Sequence, residues 1–413
     1  MMQVEDSSLL KKLLYFLALS LAVANSFDLR VIGDFRPTDI IFWAMACVFA
    51  MRVAGGARLL RPSLLSLGFL MCLMASTSYS WLFNPVEVDY LVSAGFIYKY
   101  LLVFLLYYIV RNAGFSDGQL NGILKALALS LFIVVAYTFY YVSLFSAHTG
   151  YYMSMRPDFP FSEGGGHVLG TYLATGFIVV YMYFEKRFSG IKFFIGSAVM
   201  LALLAAVFLT GSRAPVIAIA AALMYLYTSR VLIYRYFGSK GFLYPAISIA
   251  LIMAGVYYIY QVGLVDMGIR QVERAFSMGF SADQSASSRL FKQAEMFDVF
   301  KGKSLYLLGL GPGVSNMLWY DGSFIRILLD SGILGMLFFM GTLLTLVVDV
   351  RRKAGRTDPR FAEYYIVPLV AFAVCNISSE HFLVNRSAIP AVLYASVIHC
   401  LLDNKSKEGN SPA

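Results

Sequence analysis

Tyr320-Asp321-Gly322-Ser323-Phe324-Ile325-Arg326-Ile327-Leu328-Leu329-Asp330-Ser331-Gly332-Ile333-Leu334-Gly335 decides how this chain is read. The stretch closes the longest polar segment and opens an apolar run that continues to Val350. A run of that length can cross a bilayer, which takes roughly 20 residues. The stretch therefore starts at a water–lipid boundary and carries charge into it. Arg326 and Asp330 are four apart, so on a helix they share a face and can pair. Asp330 falls about two turns inside, where a charge is costly unless it is paired or faces a cavity. Gly332 and Gly335 permit close helix contact. The pair has two readings: a structural ion pair at a helix start, or part of a functional site.

Working outward, the composition agrees. The chain has 413 residues, 59% of them hydrophobic and only 14% charged. Soluble domains carry about 25% charged residues, so this is the composition of an all-α, polytopic transmembrane helical bundle. Leu9 to Phe27 reads as a first span with Lys11 and Lys12 near its start, and not as a cleaved signal peptide. The four cysteines, Cys47, Cys72, Cys375 and Cys400, sit in apolar runs without metal-ligand spacing. They read as structural thiols. The net charge of +9 points to membrane topology, with no nucleic acid as partner.

Apolar runs at 9–27, 38–54, 63–83, 90–110, 121–146, 168–184, 191–209, 214–230, 242–262, 323–350, 364–380 and 383–402 give about 12 spans by length. Basic residues collect on one side of this arrangement: Lys11 and Lys12, Arg52, Arg58, Arg61, Arg111, Lys186, Arg187, Arg230, Arg235, and Arg351 to Arg360. That side is expected to be cytoplasmic, with both termini on it. The organisation expected is one transmembrane domain over residues 1–402 and a flexible cytoplasmic tail over 403–413. Two substantial segments, 147–167 and 263–322, face outward. The segment 351–363 reads as a basic cytoplasmic loop.

Candidate functional residues lie at the outer side. The acids of 28–39 belong either to a surface turn or to an active site. Lys99 lies midway along the fourth apolar run, where it either pairs within the bundle or holds a lipid phosphate. Glu163 and His167 flank Gly164, Gly165 and Gly166, which oppose a helix there. They form either a catalytic pair or part of a gating loop. The turn Leu209-Thr210-Gly211-Ser212-Arg213-Ala214-Pro215 separates two spans. Pro215 suits the first turn of a helix, and free amides at a helix start favour an anion. Ser212 adds a hydroxyl and Arg213 a planar fork for phosphate oxygens. A plain outward turn is the alternative. In the long outer segment, Arg270 and Arg274 are four apart on a short helical stretch over 268–280. Residues 287–300, with Arg289, read as an amphipathic helix on the membrane surface. Gly309, Gly311, Pro312 and Gly313 then make a compact turn, without the lysine a nucleotide phosphate loop needs.

From about Leu203 to Phe339 the chain resembles the O-antigen polymerase and O-antigen ligase superfamily of bacterial envelope proteins. Thr210 to Arg213 match that family's threonine/serine-Gly-Ser-Arg turn, Arg289 its second arginine motif, and Gly309 to Gly313 its glycine turn. Phe324, Ile325, Asp330, Gly332 and Gly335 match its closing element. The histidine and asparagine of that element are Asp321 and Gly322 here, a departure that weighs against the ligase branch. The resemblance implies a fold of the glycosyltransferase C class in the bacterial inner membrane, with an active site facing the periplasm.

What the resemblance implies for function is a polymerase of surface-polysaccharide repeat units. It would move a glycan from undecaprenyl diphosphate to a lipid-linked repeat unit, with no cofactor and no metal. Arg213 and Arg289 would hold the diphosphate, and Asp321 would act on the acceptor hydroxyl. Expected partners are the lipid-linked oligosaccharide, membrane lipids, a chain-length regulator and a flippase. The alternatives are a ligase transferring glycan to lipid A core, and a transporter of lipid-linked glycans. No internal repeat is visible in the sequence, and that favours an enzyme over a transporter.

Overall fold

The structure is a computed structural model that describes residues 2–26, 36–57, 59–60, 62–83, 90–149, 166–185, 191–210, 212–232, 306–312, 322–378, 382 and 384–408. Every regular element among them longer than one turn is an α-helix: α1 (Met2–Ser26), α2 (Pro37–Ala54), α3 (Leu64–Phe83), α4 (Tyr90–Asn112), α5 (Asp117–Thr149), α6 (Gly166–Glu185), α7 (Ile191–Leu209), α8 (Arg213–Leu232), α9 (Ser323–Arg356), α10 (Arg360–Ser378) and α11 (Asn385–Glu408). A bilayer core offers backbone groups no water, and a helix satisfies them within itself. Eight of these helices, α2 to α6 and α9 to α11, are long and apolar enough to cross a membrane. Stretches 194–209 and 214–230 of α7 and α8 are shorter apolar helices. The protein is a multi-pass membrane protein. The expected span over 242–262 lies outside the described residues.

Burial follows helical spacing. In α1, Leu10, Leu14, Leu17 and Leu21 are fully buried along one stripe, whereas Phe16 on the opposite side is 61% exposed. That stripe packs on α2 and α5. Three apolar clusters fill the bundle. One joins α1, α2, α4 and α5 to the end of α9, the start of α10 and much of α11. A second holds α6, α7 and α8 against α5 and α10. The third, rich in rings, joins α3, α4 and α9 around Phe69, Tyr100 and Phe339.

The charges sort by end. Arg111, Arg230, Asp349, Lys353, Glu363 and Asp403 meet at one end of the bundle. Arg230 pairs with Glu363 at 2.7 Å, and Asp403 accepts from Arg111 at 2.5 Å and from Lys353 at 2.6 Å. The opposite end holds the starts of α6 and α9 and the end of α10.

Three boundaries differ from the sequence reading. The loop expected over 351–363 shrinks to Thr357–Pro359, because α9 runs to Arg356 and α10 starts at Arg360. The tail expected from Asp403 is helical to Glu408, and Asp403 is tied by two ion pairs. Asp39, expected in a loop, is the third residue of α2. It is buried, accepts from the Arg36 amide at 3.0 Å in a capping arrangement, and accepts from the Tyr98 hydroxyl at 2.9 Å.

The largest departure from regularity is inside α9. Gly332 takes φ 68° and ψ −174°, so the helix breaks there into two pieces. The uninterrupted span expected over 323–350 is thus a short segment, Ser323 to Ser331, followed by a long one. The break frees carbonyls before it and amides after it. The Tyr306–Gly311 turn takes up both sets. Leu310 and Gly311 donate to the Leu329 and Asp330 carbonyls at 2.6 and 3.2 Å, and Ile333 and Leu334 donate to the Tyr306 and Leu307 carbonyls at 2.9 and 3.2 Å. Irregular backbone at membrane depth is tolerated where protein buries it, as here. A Cβ on Gly332 would collide with the Leu307 carbonyl, and one on Gly309 would lie 2.6 Å from the Leu329 carbonyl oxygen. The turn and the break therefore require each other's glycines.

Candidate functional site

The short first segment of α9 presents the densest buried polar cluster at its end of the bundle. Arg326 is 2% exposed and Asp330 is 0% exposed. Their four-residue spacing puts Arg326 Nε 3.1 Å from Asp330 Oδ2. The same carboxylate oxygen accepts from the Tyr100 hydroxyl of α4, also at 3.1 Å. The Asp330 backbone carbonyl accepts from Ser76 of α3 at 2.7 Å, and Ser80 donates to the Leu310 carbonyl in the docked turn. Three partners, from α9, α4 and α3, thus hold one carboxylate residue in place.

Cations gather on a ring beside this pair. The Arg326 guanidinium lies 4.2 Å from the centroid of Phe96, and the Lys99 ammonium lies 4.8 Å from it. Both distances suit cation–π attraction. Among the described residues, Arg326 and Lys99 bring two positive charges and Asp330 one negative charge to this group.

The start of α9 is also tied to the end of α10. Ser323 donates to Asn376 Oδ1 at 2.5 Å, and the Phe382 amide donates to the same oxygen at 2.7 Å. This knot is buried and fixes where α9 begins. Gly322, immediately before it, has φ 131° and lies against the Ile377 carbonyl.

The second candidate cluster is the turn before α8. Arg213 is the first residue of α8, as the Pro215 signal predicts. Ser212 is buried and its hydroxyl lies 2.6 Å from His167 Nδ1. His167 is the second residue of α6, so the helix expected to be excluded by the glycines begins at the last of them, Gly166. Gly166 fits because a Cβ there would strike the Thr210 carbonyl. The structure therefore brings His167 and Ser212 together, 45 residues apart in sequence. Asp321, Arg289, Arg270, Arg274 and Glu163 lie outside the described residues, as does the Arg213 side chain.

Sequence reasoning passed over Phe96, Tyr100, Ser76, Ser80 and Asn376. One signal was available: Phe96, Lys99 and Tyr100 stand at helical i, i+3, i+4 spacing, which puts a cation and two rings on one face. Nothing local marks the serines, whose partners are 254 and 230 residues away in sequence, or Asn376, whose partner Ser323 is 53 residues away.

The fold and the buried charges define a class: a multi-pass helical membrane protein with a broken helix and a buried polar cluster beside the break. No protein-family model and no curated protein sequence matches the chain.

Proposed function

We propose that this protein is a membrane glycosyltransferase that polymerises lipid-linked polysaccharide repeat units. The observation that carries the reading is the placement of its motif residues. The Thr210–Arg213 turn opens a helix and is held to the start of α6 by Ser212 and His167. At the same end of the bundle, the closing motif opens α9 with the Arg326–Asp330 pair beside Phe96. On the family resemblance these two motifs serve a diphosphate-linked donor, and their described residues lie at one end of the bundle.

The reaction is a displacement at a sugar carbon. The acceptor hydroxyl oxygen bonds to the anomeric carbon of the donor glycan. The bond from that carbon to the diphosphate oxygen breaks, and undecaprenyl diphosphate leaves with the electron pair. Arg213 and Arg289 grip the diphosphate and stabilise the charge that develops on it. Asp321 takes the proton of the acceptor hydroxyl. Asp330 is reserved for structure, because its carboxylate is already held by Arg326 and Tyr100. No metal ion is required in this scheme, since the guanidinium groups neutralise the leaving group. The site faces the periplasm of a bacterial inner membrane, on the side opposite the basic end. Apolar length in the sequence gives about twelve spans, and the family resemblance implies a bundle of the glycosyltransferase C class. A flippase supplies the lipid-linked unit and a chain-length regulator acts on the product.

A second reading has one observation in its favour. Transporters place broken helices at their substrate sites, and α9 is broken at Gly332. Here the break is filled by the protein's own turn, which favours the enzyme.

Chain-length analysis in cells tests the proposal. In a deletion strain carrying Arg213→Lys or Arg289→Lys at matched membrane abundance, lipid-linked glycan should stay at one repeat unit, because lysine keeps the charge and loses the fork. Asp321→Asn should give the same result. Normal chain length in both lysine variants would remove the clamp from the scheme.

A further inference from the structure

A cavity of about 610 Å³ runs between α3, α4, α9, α10 and α11. Its volume lies within the roughly 300–1,000 Å³ of small-molecule sites. Its walls are almost wholly aliphatic and aromatic, so water gains little by filling it. An empty space of this size would forfeit dispersion contacts over its whole lining.

Its shape and ends select the occupant. On α10 the lining extends from Tyr365 to Asn376. These positions are 11 residues apart (376 − 365), or about 16 Å at the helical rise of 1.5 Å per residue. That is close to half of a hydrocarbon core of about 30 Å, the depth of one leaflet. The far end is roofed by the hydrogen-bonded knot of Ser323, Asn376 and Phe382. The side opens between α3 and α4, where Leu67 and Leu101 line the cavity and are 41% and 42% exposed. The near end lies at the basic end of the bundle and is lined by Arg111 and Asn112. Arg111 gives one terminal nitrogen to Asp403, and its side chain keeps 18% of its surface accessible.

We propose that this cavity is a binding site for an anionic phospholipid of the leaflet on the basic side. One acyl chain enters between α3 and α4 and fills the space up to the Asn376 knot. The headgroup phosphate lies at the near end against the accessible edge of the Arg111 guanidinium. Charge and entry direction together choose this occupant over a polyprenyl diphosphate carrier, whose head would sit at the opposite end of the bundle, beyond the roof.

Native mass spectrometry of the full chain, delipidated in detergent and titrated with phosphatidylglycerol or phosphatidylcholine, tests the site. Wild-type protein should retain one phosphatidylglycerol with about tenfold preference, the scale of one charge-assisted hydrogen bond. Arg111→Gln should lose the preference while still binding either lipid. Ala373→Trp, which fills the cavity from α10, should lose retention of both. The delipidated Ala373→Trp protein should melt above delipidated wild type, because the indole replaces the missing contacts. If that variant fails to fold, Ala395→Phe fills the same space from α11. Equal retention of the two lipids by wild type would overturn the headgroup assignment. Undiminished retention in the folded filling variant, or displacement of phosphatidylglycerol by added undecaprenyl phosphate, would overturn the site.

Discussion

At the scale of single residues, the Arg326–Asp330 pair shows what four-residue spacing can and cannot predict. The spacing correctly gives a shared face and an ion pair, which the structure places at 3.1 Å. It gives no hint that Tyr100 completes the carboxylate's surroundings from another helix. Breaking a buried pair leaves a desolvated charge without its partner. Arg326→Leu should therefore cost about 3–5 kcal/mol of stability, and Arg326→Leu with Asp330→Leu should cost much less. Thermal melts in detergent measure both. Equal losses in the single and double variants would mean that the pair's charges are not what the site depends on. The His167–Ser212 contact was legible only as two separate candidates. The glycines before His167 argue against a helix by propensity, and tertiary contact with the Thr210 turn overrides them.

At the scale of elements, apolar length located the helices, and the break in α9 escaped it. Apart from Arg326, Asp330 and Asp349 no charged residue interrupts residues 324–350, and nothing in that composition marks Gly332 as a break. The glycine itself was visible, but a glycine in a membrane helix reads equally as a packing site. Only the docked turn from Tyr306 to Gly311 distinguishes the two roles. The φ and ψ of Gly332 are reached at low cost by glycine alone. Gly332→Ala should thus destabilise by at least about 1–3 kcal/mol, before its clash with Leu307 is counted. Gly95→Ala on α4 is the control, since a Cβ there meets nothing within 4 Å. It should be neutral or stabilise by up to about 1 kcal/mol through helix propensity. Unfolding temperatures of the two variants check the contrast, and equal values would show that α9 does not need its break. Element ends were the least legible feature. Charged residues at 351–356 and 403–407 read as loops, yet they are helical because ion pairs among Asp349, Lys353, Arg111 and Asp403 satisfy them.

At the scale of the whole molecule, the helical membrane architecture followed from apolar runs, and the sorting of charge to one end followed from their spacing. With the basic end cytoplasmic, single cysteines in a cysteine-free background should report opposite sides. Ser116→Cys, exposed between α4 and α5, should resist a membrane-impermeant maleimide in intact cells, and Phe300→Cys should react. The reverse pattern would invert the topology and move the proposed site to the cytoplasm. The central claim is that the protein joins lipid-linked glycans rather than moving them. The most direct measurement places purified protein in proteoliposomes with undecaprenyl-diphosphate-linked repeat units and a metal chelator, then resolves the lipid-linked products by length. The account predicts a ladder of products longer than one repeat unit, with undecaprenyl diphosphate released at each step. Unchanged unit length, together with passage of the lipid-linked unit across the vesicle membrane, would contradict it.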